Sequence, residues 1–130
     1  MSNNTSPTIV VIDDDPDFLA FVTTFLTRAN YRSVGFVDAR TVPGYLREHG
    51  AALIITDLFM PNMDGFEVLR ALRNEFPSIP VIALSGSGQM EREFYLRCAV
   101  NLGAVASLNK PFEPEALHAL VTFLLGAPQP

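Results

Sequence analysis

Five polar side chains follow short apolar runs that are spread along the chain. They are Asp13 and Asp14 after TIVVI, Asp57 after ALIIT, Ser85 after PVIAL and Lys110 after AVASLN. The carboxyl ends of parallel strands meet at one edge of a sheet, so residues that follow such strands lie near one another. The spacing therefore predicts a single site assembled from residues that are distant in sequence.

Three of these side chains are carboxylates, which repel one another when they are brought together. In a partly dehydrated cleft this repulsion costs several kcal/mol unless a cation binds or one group stays protonated. Oxygen ligands without histidine or thiolate favour magnesium over zinc. The group Asp13, Asp14 and Asp57 therefore predicts a Mg²⁺ site.

A lysine and a hydroxyl beside a metal and a carboxylate are typical of a phosphoryl-transfer site. Cations neutralise the charge on phosphoryl oxygens, and a hydroxyl donates a hydrogen bond to one of them. Asp57 is then the nucleophile that accepts the phosphoryl group, and Ser85 and Lys110 complete the catalytic set.

The elements that position these residues alternate between strand and helix. Five apolar or β-branched runs are each followed by a longer segment with helical spacing. Runs such as LIIT and VIAL are apolar at successive positions, which is typical of strands covered on both faces. The pattern predicts an α/β fold with a doubly wound, five-stranded parallel sheet and five helices. The strands are predicted over 8–12, 32–36, 52–56, 80–84 and 104–108.

Capping and stop residues define the predicted helices. Asp15 is expected to be the N-cap of the first helix, with Pro16 at its first position. The face of this helix predicted to lie against the core consists of Phe18, Phe21, Val22, Phe25 and Leu26. The remaining helices are predicted over 41–49, 64–75, 89–102 and 113–125.

Length and charge narrow the class of protein. The 130 residues, 48% of them hydrophobic, are enough for one domain. We expect this domain at 8–125, a disordered N-terminal tail at 1–7 and a C-terminal tail at 126–130. The net charge of -5, without a basic cluster on a predicted helix face, argues against nucleic acid as a partner.

The cellular compartment is also constrained by the sequence. The N-terminal MSNNTSPT has neither the basic nor the apolar region of a secretion signal, and no apolar run approaches the roughly 18 residues that span a bilayer. We therefore expect no membrane partner. The single cysteine, Cys98, has no second cysteine for an internal disulfide, so a reducing cytoplasm is expected.

Four motifs occur in the order, and on the elements, that one protein family uses. They are VVIDDDP, IITDLFMPNMDGFEVLRALR, VIALSGS and LNKPF. Over essentially its whole length the chain resembles the receiver domain of two-component response regulators. The resemblance implies a flavodoxin-like fold with strand order 2-1-3-4-5 and a phosphorelay function. A histidine kinase or histidine phosphotransfer protein would donate the phosphoryl group, and a downstream protein would be the target.

The same resemblance implies a role for each acidic motif residue. Asp57 would be the phosphorylated residue and would also bind the metal. Asp14 would bind Mg²⁺ directly and Asp13 mostly through water, and the carbonyl of Phe59 would be a third protein ligand.

The hydroxyl and the lysine also receive roles from the resemblance. Ser85 and Lys110 would bind phosphoryl oxygens, and the Lys110–Pro111 peptide would be cis, which proline makes accessible. Such a protein would catalyse only its own phosphorylation and dephosphorylation, and it is expected to be a monomer or a weak dimer.

Three features depart from the family pattern. Ser107 stands where the family usually has an aromatic switch residue, so Ser85 and Ser107 are the candidate switch positions. Ser85 and Lys110 are 25 residues apart, a few more than usual, which indicates an insertion or a reshaped fourth helix. Phe59 is apolar where many members are polar. We expect the stretch from Gly86 to Leu96 to move on phosphorylation.

Two other functions fit part of the pattern. A haloacid-dehalogenase-like phosphatase also uses a nucleophilic aspartate, Mg²⁺, a hydroxyl and a lysine, and its D-x-D signature matches Asp13 and Asp15. However, Asp17 stands where that family prefers Thr or Val, and 130 residues leave no cap domain. A degenerate receiver that acts as a constitutive binding module is favoured only by Ser107. The Met1 start and the trailing GAPQP favour a complete protein over a fragment.

Overall fold

Strands and helices alternate along the chain in the computed structural model, which describes residues 7–60, 63–85, 100 and 103–127, without the side chains of Phe59, Met60 and Met63. The strands are β1 (Thr8–Ile12), β2 (Arg32–Phe36), β3 (Leu53–Asp57), β4 (Phe59–Met60), β5 (Met63–Asp64), β6 (Val81–Ser85) and β7 (Ala106–Asn109). The α-helices are α1 (Pro16–Arg28), α2 (Val42–His49), α3 (Gly65–Glu75) and α4 (Pro114–Leu125), and a 3-10 helix covers Ala39–Thr41. None of these helices is long and apolar enough to cross a bilayer.

Five parallel strands form the main sheet in the order β2-β1-β3-β6-β7. Because β4 and β5 form a separate antiparallel pair, this order confirms the predicted 2-1-3-4-5 arrangement. The predicted helix over 89–102 lies outside the described residues except for Val100. The described part of the chain therefore contains four α-helices, whereas five were predicted for the whole.

The strands that carry site residues end later than the sequence pattern predicts. Asp57 pairs with Leu84, and Ser85 pairs with Asn109, so both site residues are the last members of their strands instead of the first loop residues. The final strand begins at Ala106, two residues later than expected. Strand hydrogen bonding therefore holds the backbone of Asp57 and Ser85 in place.

The sheet separates the apolar core into two clusters, and β1 contributes to both. Val10 and Ile12 belong to the cluster on the side of α2 and α3. Ile9 and Val11 belong to the cluster on the side of α1 and α4. All four side chains are fully buried, as expected for a strand covered by helices on both faces.

Helix α1 begins as predicted, and four of the five residues predicted for its core face are buried or pack against the core, namely Phe18, Val22, Phe25 and Leu26. The Asp15 carboxylate accepts hydrogen bonds from the amides of Asp17 and Phe18, which is an N-cap arrangement. The buried residues are Leu19, Val22 and Leu26, spaced three and four apart on one face. The prediction was wrong for Phe21, which is 47% exposed because its position turns it away from this face.

An ion pair joins the outer surfaces of α2 and α3. Arg47 donates hydrogen bonds to both carboxylate oxygens of Glu75, and its Nη2 lies 2.9 Å from Oε1. The hydrogen bond from Arg47 lowers the pKa of Glu75 and raises the pKa of Arg47. Both side chains are well exposed, so this pair contributes little to the free energy of unfolding.

Candidate functional site

Three carboxylates meet at the carboxyl ends of β1 and β3. One oxygen each from Asp13, Asp14 and Asp57 lies within 4.8 Å of the others. The register explains their proximity, because Ile12 is paired with Thr56 and the acidic residues follow these partners directly. Asp13 and Asp57 are buried, whereas Asp14 is half-buried. The structure thus brings together the acidic residues that the sequence predicted to converge.

Lys110 brings a positive charge into this acidic group. Its Nζ lies 2.7 Å from Asp13 Oδ2 and 3.5 Å from Asp57 Oδ2. The Lys110–Pro111 peptide is cis, as the family resemblance implied. The lysine side chain is 21% exposed, so its ammonium group interacts with the carboxylates at the edge of the solvent.

An aromatic wall lies on the other side of the lysine. Lys110 Nζ is 4.1 Å from the centroid of the Phe18 ring, which is within the range of a cation–π interaction. The Phe18 ring is in turn packed edge-to-face against Phe112, with 6.0 Å between the centroids. The sequence pattern predicts Phe18 only as a core residue of the first helix. No spacing rule indicates its contact with a lysine that is distant in the chain.

The charge and the donor set of the site fit a hard divalent cation. With every group ionised, three carboxylates and one ammonium leave a net charge of two negative units. Both oxygens of Asp13 have protein partners, since Oδ1 accepts the Asp15 amide at 2.9 Å and Oδ2 contacts Lys110. The remaining negative charge is carried by oxygen atoms alone, which suits Mg²⁺.

Ser85 follows Leu84, the register partner of Asp57, and both its backbone and its side chain have partners at the end of β7. The Lys110 amide donates to the Ser85 carbonyl oxygen at 2.8 Å, and the Ser85 hydroxyl donates to Asn109 Oδ1. Ser85 is only 3% exposed. Asn109 is not among the site residues predicted from the sequence. The signal available was a polar residue that ends an otherwise small or apolar strand, directly before the lysine.

The turn between β3 and α3 is closed by a tight backbone contact. A Cβ atom at Gly65 would lie 2.1 Å from the carbonyl oxygen of Leu58, the residue after Asp57. The Leu58 amide donates to the Leu84 carbonyl oxygen at 2.9 Å, and the Asp64 carboxylate caps α3. This turn therefore ties the residues after Asp57 to the start of α3.

The remaining predicted site residues are placed in different ways. Phe59 lies two residues after Asp57 with its backbone paired to Asp64, and its side chain is outside what the structure describes. Ser107 is half-buried in β7 and pairs with Ala83. The stretch from Gly86 to Leu96, which we expected to move, also falls outside the described residues.

Curated relatives of this chain are response regulators. The response regulator GtcR of Aneurinibacillus migulanus is 35% identical over 109 residues, which are 84% of this chain and 43% of that protein. The response regulator Rre1 of Synechocystis is 33% identical over 124 residues, which are 93% of this chain and 52% of that protein. The chain thus spans about half the length of these relatives.

Solved structures of receiver proteins share the fold. The chemotaxis protein CheY4 of Vibrio cholerae has a TM-score of 0.82 at 26% identity, and the match covers 93% of this chain and 100% of that one. The receiver domain of the Francisella response regulator 1452 has a TM-score of 0.81 at 26% identity, with coverage of 92% and 97%.

A family model describes the shared domain directly. The model of the response regulator receiver domain matches residues 9–122, from the second residue of β1 into the last turn of α4. The matched segment contains the three carboxylates, Ser85 and Lys110, and the order of the main sheet agrees with the fold of the solved receivers. This chain belongs to the family of response regulator receiver domains.

Proposed function

We propose that Asp57 is the residue of this receiver domain that accepts a phosphoryl group, from the phosphohistidine of a histidine kinase or a phosphotransfer protein. The observation that carries this assignment is the position of the Lys110 ammonium group, 3.5 Å from Asp57 and 2.7 Å from Asp13, inside a group of three carboxylates. The modified protein would then bind a downstream protein target.

The transfer step follows from the placement of these groups. One oxygen of the Asp57 carboxylate attacks phosphorus, the P–O bond forms, and the P–N bond to the donor imidazole breaks with its electron pair returning to nitrogen. Lys110 then has a phosphoryl oxygen within reach to balance the added charge. The Asp57 side chain is only 4% exposed, so little water reaches the reacting oxygen.

The residues that would hold Mg²⁺ are Asp13, Asp14, Asp57 and the carbonyl of Phe59. When bound, the ion would neutralise negative charge on the phosphoryl oxygens. Asp13 already has protein partners on both oxygens, which supports a role through water. Asp14 is half-buried and is the better candidate for direct coordination.

Acetyl phosphate in the presence of Mg²⁺ tests this function without knowledge of the natural donor. A receiver gains one phosphoryl group per chain, which intact-mass spectrometry detects. Multiple turnover on small phosphomonoesters would instead indicate the phosphatase, and no labelling would indicate the constitutive binding module. The response-regulator relatives favour the first outcome.

The wider properties of the protein stay predictions. We propose a receiver domain at 8–125, which agrees with the family match over residues 9–122, and tails at 1–7 and 126–130. We propose that it acts in the cytoplasm as a monomer or weak dimer, and that it catalyses only its own phosphorylation and dephosphorylation.

Magnesium should stabilise the unphosphorylated protein through Asp14. Binding to the folded state alone raises the free energy of unfolding, by about 1.4 kcal/mol for each tenfold increase of Mg²⁺ above the dissociation constant. Thermal unfolding of wild type should therefore shift upward with Mg²⁺, and the shift should disappear in Asp14→Ala. Asp17→Ala removes an exposed carboxylate outside the group and should keep the shift. An equal response in Asp14→Ala would rule out this ligand.

Phe59 should make the phosphorylated form long-lived. Hydrolysis requires a water molecule in line behind phosphorus, and a bulky apolar side chain two residues after Asp57 offers that water no hydrogen bond. We expect Phe59→Asn to lose its phosphoryl group faster than wild type when the decay of labelled protein is followed. Phe123→Asn, at a position that is 84% exposed on α4, should decay like wild type. Unchanged or slower decay in Phe59→Asn would contradict the prediction.

A further inference from the structure

We propose that Asn109 is a positioning residue that holds the Ser85 hydroxyl away from the phosphoryl group. Asn109 would compete with phosphorylated Asp57 for a single hydrogen-bond donor. This inference rests on the proposed phosphorylation of Asp57 and adds a residue that lowers the affinity of the unmodified site for a phosphoryl group.

The two residues are neighbours because of the sheet register. Ser85 and Asn109 are paired at the ends of the adjacent parallel strands β6 and β7, so their side chains point to the same side of the sheet. The Ser85 hydroxyl donates to Asn109 Oδ1. Ser85 is 3% exposed, so water has little access to replace Asn109 as its partner.

A count of protons gives the reason for the competition. A serine hydroxyl has one proton to donate, and in this structure that proton is directed at Asn109. The oxygens of an ionised phosphoryl group only accept hydrogen bonds. Ser85 therefore has to release Asn109 before it donates to the phosphoryl group, and the lost bond lowers the net gain from the new one.

The arrangement also gives β7 a way to respond to phosphorylation. Asn109 lies two residues after Ser107, which occupies the position of the usual aromatic switch, and directly before Lys110. Release of Ser85 changes the partner of a side chain on β7. A hydrogen bond at the end of this strand would thus respond to the phosphoryl group where the usual aromatic ring is missing.

The test is the affinity for beryllofluoride, a mimic of the phosphoryl group, measured by ¹⁹F NMR titration in the presence of Mg²⁺. Asn109→Val introduces a residue with high strand propensity and removes the oxygen that accepts the Ser85 hydrogen bond. We expect roughly fivefold tighter binding, the equivalent of one net hydrogen bond that no longer has to be broken. Asn109→Ala provides a second variant with the same expected direction.

The Ser85→Ala background separates competition from a general change in the strand. Without the hydroxyl there is nothing to compete for, so Asn109→Val should not alter the beryllofluoride affinity of Ser85→Ala. An equal gain in that background, or no gain in the wild-type background, would overturn the role of Asn109. Absence of beryllofluoride binding by the wild-type protein would instead overturn the proposed function itself.

Discussion

Asp57→Asn should abolish phosphorylation by acetyl phosphate while the protein remains folded. The asparagine amide has nearly the same shape as the carboxylate, but it has no negatively charged oxygen that could attack phosphorus. The substitution also removes one of three carboxylates that lie within 4.8 Å of one another, and Lys110 keeps its 2.7 Å contact with Asp13. We therefore expect a free energy of unfolding without Mg²⁺ that is at least as large as that of wild type.

Intact-mass spectrometry after incubation with acetyl phosphate and Mg²⁺ measures the labelling, and urea unfolding measures the stability. The matched control is Asp64→Asn. Asp64 is exposed and is the N-cap of α3, and asparagine is an equally good N-cap residue. This control should be labelled like wild type. Undiminished labelling of Asp57→Asn would show that another residue is the acceptor.

Gly65→Ala should destabilise the protein more than any exposed substitution on the helices. The new Cβ would lie 2.1 Å from the carbonyl oxygen of Leu58. Because this oxygen belongs to the backbone and the Cβ is bonded directly to the backbone, no side-chain rotation can relieve the overlap. Relief requires movement of the turn that follows Asp57. We expect the free energy of unfolding to fall by about 3 kcal/mol, the upper range for overpacking, and the rate of labelling by acetyl phosphate to fall with it.

Gly44→Ala is the control for the general effect of replacing a helical glycine. Gly44 lies in α2, and a Cβ there has nothing within 4 Å. This variant should gain about 0.5–1 kcal/mol from the reduced entropy of the unfolded chain. Urea unfolding of both variants gives the comparison. A Gly65→Ala midpoint equal to that of wild type would show that the turn adjusts without cost.

The fold was predictable to a large extent because the pattern of this sheet is strong. Strands such as β3 and β6 are buried at every position, and continuous apolar runs separated by helical segments are typical of a parallel sheet covered on both faces. The gathering of Asp13, Asp57 and Lys110 followed from the rule that strand ends share one edge. To apply that rule, one has to know only the order of the strands and helices, not the side-chain contacts.

Features that depend on tertiary contacts were not predictable from the pattern. Phe21 is hydrophobic but exposed, whereas Leu19 on the same helix is buried. Only the packing of α1 against the sheet shows which of these two side chains faces the core. The contact of Asn109 with Ser85 depends on the register between β6 and β7, which local sequence does not determine. The position of Phe18 beside Lys110 likewise requires both elements to be in place.

The separation of the core into two clusters connects the two sides of the site to different helical layers. Asp57 continues into Leu58, which packs in the cluster on the α2 and α3 side, whereas Lys110 leads to Phe112, which packs against the cluster on the α1 and α4 side. Lys110 Nζ and Asp57 Oδ2, which are 3.5 Å apart, therefore meet where chain segments from the two clusters come together. A protein that binds either outer layer and favours the phosphorylated arrangement must, by thermodynamic reciprocity, also favour phosphorylation of Asp57.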